Sequence, residues 1–468
     1  MTELIAESLT KLAELIRARK VSPVEVADSY LRQIDKLNPE LNAIVTLASD
    51  LRMDAANAEA ALMRGENLGV LHGVPITIKD TIETGGLRTT SGSTTRAAFI
   101  PQRDAPAVAR LKAAGAIILG KTNTAEMAMD YTADNPVFGR TNNPHDLART
   151  PGGSSGGEAA AIATCMSPGG LGSDLAGSIR IPSHFCGIAG LKPTTGRIPG
   201  EGQCPPSIGP YSLGSAVGPM AREINDLSTL FAVLASDGRS LPSMAAGRTE
   251  INGLRVACYS DDGVASVTTE TRHAVATAAD ALSRAGLVVD ELLPPHAERG
   301  HDLWLKLFSR ASVVQLREFY SGREEEGGAF VRWRLATADN SPQPTLDEYV
   351  AGWMERDRLR AALVEWMVKT PLILAPVGAT PALKHDVQKV TIAGSTMGVF
   401  RAFSYAQTFN VFDLPAVSVP AGWSADGLPI GVQIVGRPFA EETVLAAASI
   451  VEEALGGWRC PVNFGLLK

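Results

Sequence analysis

A lysine and a serine lie in segments where residues of these types could take part in hydrolysis. Lys79 ends the alternating apolar segment 74–79, and Ser154 lies in the glycine-rich segment 152–157. A serine hydroxyl attacks an amide carbonyl only if a base takes its proton during the attack. Neither the glycine-rich nor the apolar segment contains a histidine. A lysine can serve instead if burial lowers its pKa from about 10.4 towards neutrality, and the end of an apolar strand is a place for such burial.

Residues 115–122 match the G-x-x-x-x-G-K-[ST] pattern of a phosphate-binding loop. That loop needs a flexible turn whose amides surround a phosphate. The middle residues here are Ala-Ile-Ile-Leu, which favour a regular strand. We therefore do not expect this segment to bind ATP or GTP.

Residues 152–156 match the G-x-S-x-G pattern of the nucleophile elbow in α/β-hydrolases. That elbow requires an acidic residue and then a histidine later in the chain. Five scattered histidines follow the segment: His184, His273, His296, His301 and His385. Their scatter gives no sign of a triad, so an esterase with a histidine base is an alternative that the sequence disfavours.

Several segments resemble the motifs of the amidase signature family and follow one another in the order found in that family. Its members are serine hydrolases with a Ser–cis-Ser–Lys triad. These segments are residues 73–80, 120–123, 151–158, 174–182 and 190–197, with flanking matches at 22–25 and 427–433. The resemblance spans most of the chain. It implies that Ser178 is the nucleophile and Lys79 the base, with Ser154, on a cis peptide, relaying the proton between them. A degenerate binding protein would be expected to lack one of the three, and all are present.

The resemblance also implies roles for the residues around Ser178. It places an oxyanion hole at four successive backbone amides: Leu175, Ala176, Gly177 and Ser178. Many relatives have glycine where this chain has Ala176, and a methyl group is tolerable there if φ is negative. Ser155 is expected to support the site, and Asp174 and Arg180 are expected to hold the loop through an ion pair.

The family cleaves carbon–nitrogen bonds of amides through an acyl-enzyme, and some members also take esters, ureas or carbamates. One branch is the glutaminase (the A subunit) of a tRNA-dependent amidotransferase. That branch usually carries an aspartate seven residues before the Asn of an Asn-x-x-x-Leu-Pro motif, which is residues 410–415 here, so the position is Phe403. An aromatic ring cannot pair with an ammonium as a carboxylate does. We therefore expect a small hydrophobic or aryl amide, with carbamates (urethanes) and esters as further substrates, and keep the amidotransferase glutaminase as the alternative.

Three residues are expected to contact the substrate. The resemblance places the backbone at Met127 and Ala128 beside the leaving amine, and Phe403 belongs to an aromatic cluster that favours an apolar acyl pocket. The stretch 260–410 is expected to be a variable helical region that lines the substrate channel. Its aromatic candidates are Trp304, Phe308, Trp333 and Trp353.

Helical and strand periodicities alternate along the chain. An apolar stripe starts after Ser22, a predicted N-cap followed by proline, and a last amphipathic helix covers 444–455. Strands are predicted at 74–79, 116–119, 256–259, 372–375, 416–419 and 430–435. The interleaving indicates an α/β layered protein with a partly parallel sheet. With the resemblance, it implies one α/β/α domain over residues 1–468 with a mixed, mostly parallel twisted sheet, whose signature core is 70–200.

Composition limits the partners. A formal net charge of −7 argues against a general phosphate-binding surface, so we expect no nucleic acid. The longest charge-free run, 202–221, contains four prolines and does not suit a membrane helix. Glu3 and Glu7 do not suit an export signal, and we expect a cytoplasmic protein. Five widely spaced cysteines predict neither disulfides nor a zinc site. We expect no metal and no cofactor, and the resemblance makes a homodimer reasonable.

Overall fold

The computed structural model describes residues 2–66, 68–236, 251–340 and 343–462. The strands in these residues are β1 Ile44–Leu47, β2 Pro75–Lys79, β3 Ile117–Thr122, β4 Gly169–Asp174, β5 Ala189–Lys192, β6 Ala216–Ala221, β7 Arg255–Cys258, β8 Val288–Glu291, β9 Leu372–Pro376, β10 Lys389–Ile392, β11 Ser395–Gly398, β12 Ala416–Trp423 and β13 Pro429–Gly436. The helices are α1 Thr2–Ala6, α2 Leu9–Arg17, α3 Pro23–Leu41, α4 Leu51–Met63, α5 Pro106–Ala113, α6 Gly156–Ala163, α7 Arg180–Cys186, α8 Ile224–Ala235, α9 Thr269–Arg284, α10 Gly300–Trp304, α11 Arg310–Phe319, α12 Ala329–Asp339, α13 Leu346–Trp366, α14 Val399–Ala402, α15 Ser404–Val411 and α16 Glu441–Leu455.

Eleven of the described strands form one sheet in the order β1-β3-β2-β4-β6-β5-β12-β13-β9-β7-β8, and β10 and β11 form a separate hairpin. The predicted mixed sheet is confirmed. Parallel pairing, however, is confined to two blocks, β3-β2-β4 and β9-β7-β8. The strands between these blocks pair antiparallel, and there the expectation of mostly parallel pairing does not hold. A short connection such as the one from β12 to β13 favours antiparallel neighbours, whereas parallel neighbours need a longer crossover.

Helices cover both faces of the sheet. Alternation along β9 shows this directly: Leu372 and Leu374 belong to one buried cluster, and Ile373 and Ala375 belong to another. Helices α9 and α16 pack on the first cluster, and α10 and α15 pack on the second. The three-layer α/β/α arrangement is therefore confirmed. None of the helices in the described part of the chain is both long and apolar enough to cross a membrane.

The predicted ends of several elements agree with the structure. Helix α3 begins at Pro23 behind a capping box, in which the Ser22 hydroxyl accepts from Glu25 N and the Glu25 carboxylate accepts from Ser22 N. Strand β2 ends at Lys79, and all its residues are buried. The predicted strands at 116–119, 256–259, 372–375, 416–419 and 430–435 correspond to β3, β7, β9, β12 and β13. The stretch 260–410 is not only helical, since β8 and β9 within it belong to the main sheet.

Strand β4 is rich in glycine because its neighbours leave no room for side chains. A Cβ atom added to Gly170 would lie 2.2 Å from both Glu158 Oε1 and Thr77 O. Glycine and proline patterns indicate turns in a sequence, so β4 and the proline-containing β6 were not predicted. The close packing has a direct consequence for function, because it brings β4 against β2 and its terminal lysine.

Candidate active site

Lys79 reaches two serine hydroxyls at the end of β2. Its Nζ donates to Ser154 Oγ at 2.7 Å and to Ser173 Oγ at 3.0 Å. The peptide bond between Gly153 and Ser154 is cis, as the resemblance led us to expect. The lysine side chain is fully buried, so these hydroxyls replace the water that an exposed ammonium would bind. The arrangement connects a buried amine directly to Ser154.

Burial lowers the pKa of Lys79 to about 7 because the protein interior disfavours the ammonium form. The carboxylates of Asp174 and Glu158 act in the opposite direction and favour the charged form. Burial also raises the pKa of Glu158 to about 7, although its carboxylate accepts hydrogen bonds from the hydroxyls of Thr77 and Thr122. Near neutral pH the lysine can therefore act as a base, which an exposed lysine cannot do.

This lowered pKa predicts how the reactivity of Ser178, the predicted nucleophile, depends on pH. Only the neutral amine of Lys79 can accept a proton, so the reaction of Ser178 with a fluorophosphonate should accelerate about tenfold per pH unit up to about pH 7 and level off above it. The measurement is the labelling rate from about pH 5.5 to about pH 9. A rate that stays flat across this range would contradict the assignment of Lys79 as the base.

Ser178 lies in the turn between β4 and α7, close to the other two residues. Its backbone carbonyl accepts a hydrogen bond from Ser155 N at 3.1 Å, which joins the two serine-bearing segments. Ser154, Ser173 and Ser178 all line one cavity. The structure thus brings together the three residues predicted to form the triad and gives Ser155 a role in holding Ser178.

The predicted ion pair beside Ser178 is present and fully buried. Arg180 Nη2 lies 3.0 Å from Asp174 Oδ1, and Arg180 Nε lies 3.0 Å from Asp174 Oδ2. The guanidinium also donates to Gln433 Oε1 at 2.8 Å and to Asn410 Oδ1 at 2.6 Å. Although burial acts to raise it, the pKa of Asp174 is held well below its usual range, chiefly by Arg180. Asp174 is therefore ionised, and both of its oxygens bind the loop that carries Ser178.

The four amides of the predicted oxyanion hole do not behave alike. The Gly177 N–H donates to Asp174 Oδ1 at 2.8 Å, so it is already occupied. Leu175, Ala176 and Ser178 line the cavity. Gly177 has φ of +102°, and a Cβ there would lie 2.6 Å from Ala406 Cβ, so glycine is required. Ala176 is not among the described residues with positive φ, which removes the objection to its methyl group. The Gly177 N–H, one of the four predicted donors, is therefore taken by the Asp174 carboxylate.

The cavity has a volume of about 260 Å³. Met127 and Ala128 line it, as predicted, and both have left-handed backbone conformations, with φ of 53° and 56°. Such conformations are uncommon for residues other than glycine and often occur at functional sites. Phe403 is fully buried and packs edge-on against Phe185 in the core, outside the cavity wall. The prediction that Phe403 contacts the substrate is therefore wrong.

Other aromatic side chains form the cavity wall. Trp304 and Trp333 line it, together with Phe400, whose ring stacks on that of Trp304 with centroids 5.8 Å apart. Phe308 and Trp353 instead contact each other at 5.5 Å, and neither lines the cavity. Three groups that can carry charge also line the cavity: Asp130, Asp174 and Arg334. The cavity therefore combines an aromatic surface with two acidic groups and one basic group.

Neither alternative motif has the contacts that its chemistry needs. In the phosphate-loop match, Lys121 is fully buried in β3 and donates to Ile82 O and to the hydroxyl of Thr84. In the elbow match, His184 contacts the Thr380 carbonyl and accepts from Gly431 N through Nδ1. Within the described ranges, no histidine hydrogen-bonds to Ser154 or Ser178. The strand predicted at the phosphate-loop match is confirmed.

Two residues at the site were not predicted. Ser173 is the second hydroxyl bound by Lys79, and Tyr131 donates from its hydroxyl to the Ala176 carbonyl at 2.7 Å. Ser173 directly precedes Asp174, and Tyr131 closely follows Met127, so proximity to expected site residues was the available signal. In the part of the chain that the structure describes, no group of three or more His, Cys, Asp or Glu side chains could hold a metal ion.

Comparisons with known proteins agree with this geometry. The family described as Amidase matches residues 25–445. The chain is 33% identical to the A subunit of the Glutamyl-tRNA(Gln) amidotransferase of Koribacter versatilis, covering 94% of this chain and 96% of that protein. It is 31% identical to Fatty-acid amide hydrolase 2 of Homo sapiens, and the match covers 97% of this chain and 90% of that protein. A bacterial aryl acylamidase of the amidase signature family superposes with a TM-score of 0.85 at 26% identity, covering 96% of each chain.

Proposed function

Because the chain belongs to the amidase signature family, we propose that it hydrolyses small hydrophobic or aryl amides through an acyl-enzyme on Ser178. The observation that carries this proposal is the contact of the buried Lys79 amine with Ser154, beside Ser178, in a cavity walled by aromatic rings. A volume of about 260 Å³ fits a small substrate. The aryl acylamidase similarity supports the same substrate class.

The proposed reaction starts with proton transfer along the triad. Neutral Lys79 takes the proton of Ser154 as Ser154 takes that of Ser178, and Ser178 Oγ attacks the carbonyl carbon. The negative charge that forms on the carbonyl oxygen is stabilised by backbone N–H groups at the loop before Ser178. The carbon–nitrogen bond then breaks, and the amine leaves with a proton returned through Ser154. Water hydrolyses the acyl-enzyme by the same route.

Carbamates and esters are proposed as further substrates because the attack is the same. With a carbamate, the carbon–nitrogen bond breaks and the amine leaves, so the acyl group on Ser178 is a carbonate ester. Hydrolysis releases a carbonic half-ester, which loses carbon dioxide to give the alcohol. The aromatic wall formed by Trp304, Trp333 and Phe400 suits an aryl carbamate as well as an aryl amide.

The glutaminase of a tRNA-dependent amidotransferase is the second candidate function. Its support is the similarity to that class of protein, together with Asp130 and Arg334 in the cavity wall, since an amino acid substrate carries both charges. Against it, the position at which that branch usually carries an aspartate is Phe403, which lies in the core. The aromatic share of the wall favours the hydrophobic amide. The small-molecule proposal involves no nucleic acid and no membrane, and a cytoplasmic homodimer is proposed with it.

The test is covalent labelling with a fluorophosphonate, followed by peptide mass spectrometry on the wild type, Ser178→Ala and Lys79→Ala. We expect the added mass on Ser178, and its loss in both variants. A matched panel of p-nitroacetanilide, p-nitrophenyl acetate, an aryl carbamate and L-glutamine then identifies the substrate class. Labelling at Ser154 that survives Lys79→Ala would exclude the lysine-based triad. Turnover of glutamine but not of the anilide would favour the amidotransferase glutaminase.

A further inference from the structure

The backbone carbonyls of the loop before Ser178 are held by side chains from distant parts of the chain. Trp304 Nε1 donates to the Leu175 carbonyl at 3.2 Å, and Asn410 Nδ2 donates to the Asp174 carbonyl at 3.2 Å. The Tyr131 hydroxyl donates to the Ala176 carbonyl at 2.7 Å. Each of these contacts fixes one peptide plane of the loop.

A fixed carbonyl also fixes the N–H of the next residue. In a trans peptide, the C=O and the following N–H lie in one plane and point in opposite directions. Trp304 therefore sets the direction of the Ala176 N–H through the Leu175 carbonyl. Among the described residues the Ala176 N–H has no protein acceptor, and Ala176 lines the cavity. A substrate oxygen can therefore be its acceptor.

The next peptide plane joins Ala176 and Gly177, and both its carbonyl and its N–H are hydrogen-bonded. Tyr131 binds the Ala176 carbonyl, and Asp174 Oδ1 accepts from the Gly177 N–H at 2.8 Å. This second plane cannot rotate without breaking two buried hydrogen bonds. It therefore acts as a rigid support for the first plane, whose N–H stays available.

Tyr131 is itself held by two further buried side chains. Gln407 Nε2 donates to the Tyr131 hydroxyl at 2.9 Å, and Gln407 Oε1 lies 2.8 Å from His301 Nδ1. His301 and Trp304 both belong to α10, so one short helix reaches both peptide planes. The connection joins the helical region outside the signature core to the loop of the nucleophile.

We propose that Trp304 and Tyr131 are positioning residues that hold the Ala176 N–H as an oxyanion donor, with Gln407 and His301 supporting Tyr131. This rests on the proposed function, since it assigns a role within that reaction. A donor aimed before the reaction begins stabilises the tetrahedral intermediate more than the planar substrate. Loss of the Trp304 hydrogen bond should therefore weaken binding of a tetrahedral adduct more than binding of a flat ligand.

The test compares two ligands in Trp304→Phe, which keeps an aromatic ring but removes the N–H donor. Phenylboronic acid forms a tetrahedral adduct with Ser178 Oγ, whereas aniline, an analogue of the product amine, binds without forming such an adduct. We expect kcat/KM for p-nitroacetanilide to fall about three- to tenfold and the Ki of phenylboronic acid to rise by the same factor. The Ki of aniline should change less than about twofold. Tyr131→Phe should show the same separation.

Trp333→Phe is the matched control, because Trp333 also lines the cavity but its indole donates to no described residue. It should change the Ki values of both ligands by similar factors. If folded Trp304→Phe and Tyr131→Phe enzymes keep the wild-type kcat/KM and boronate affinity, the positioning role is overturned but the proposed function is not. Equal weakening of both ligands would also overturn the positioning role. A wild type that neither hydrolyses an amide nor binds phenylboronic acid would overturn the proposed function as well.

Discussion

Replacing Lys79 with methionine should lower kcat for an aryl amide by about 10²- to 10⁴-fold, the contribution expected of a general base. Methionine has nearly the length of lysine and suits a buried position, so the main loss is the amine that contacts Ser154 Oγ at 2.7 Å. Among the described residues, no other titratable side chain hydrogen-bonds to the Ser154 hydroxyl, so in this variant the proton of Ser178 has no base to go to. The measurement is kcat per folded molecule, with folding followed by circular dichroism.

Lys121→Met is the matched control. Lys121 is also fully buried, on the neighbouring strand β3, and burial lowers its pKa to about 8. Its amine, however, donates to Ile82 O and to the hydroxyls of Thr84 and Thr89, and to neither serine of the triad. This variant should be less stable but keep kcat per folded molecule near the wild-type value. If both folded variants were equally inactive, the loss would reflect a buried lysine in general, and Lys79 would not be the base.

The sequence predicted the strands whose apolar side chains alternate or run together. Strands β2, β9 and β13 fall in this group, and their bounds agree within about two residues. Strands β4 and β6 were missed because glycine and proline replace the usual side chains in them. In β4, glycine is required because α6 and β2 approach closely. At Gly170 the distances to Glu158 and Thr77 leave no room for a Cβ. A local pattern does not contain this information, since the restriction comes from residues far away in the chain.

The site was predictable where its residues lie within motifs. Lys79, Ser154 and Ser178 were identified in this way, and so was the ion pair between Asp174 and Arg180. The hydrogen bond from Trp304 to Leu175 joins residues 129 positions apart, and no spacing rule connects them. Phe403 was misplaced for a related reason: several aromatic residues lie together in sequence, and only the packing decides which of them reaches the cavity.

Replacing Arg180 with methionine should lower the free energy of unfolding by about 3–5 kcal/mol, because it leaves the buried carboxylate of Asp174 without its partner. Arg180 and Asp174 are both fully buried, and they share two hydrogen bonds at 3.0 Å. The double variant Asp174→Asn/Arg180→Met removes the unpaired charge as well and should recover part of the loss. The measurement is urea unfolding of the wild type, both single variants and the double variant.

The pH dependence separates an unpaired charge from a simple loss of packing. In the wild type, Arg180 holds the pKa of Asp174 below its value in the unfolded chain, so this site adds stability above about pH 4 and loses it as the pH falls further. Without Arg180, burial should raise the pKa of Asp174 above the unfolded value, so that the folded state binds the extra proton. As the pH is lowered from about 8 to about 5, the free energy of unfolding of Arg180→Met should therefore increase relative to that of the wild type. If the free energy of unfolding of Arg180→Met stayed below that of the wild type by the same amount throughout this interval, the variant would be destabilised by lost packing and not by the unpaired charge of Asp174.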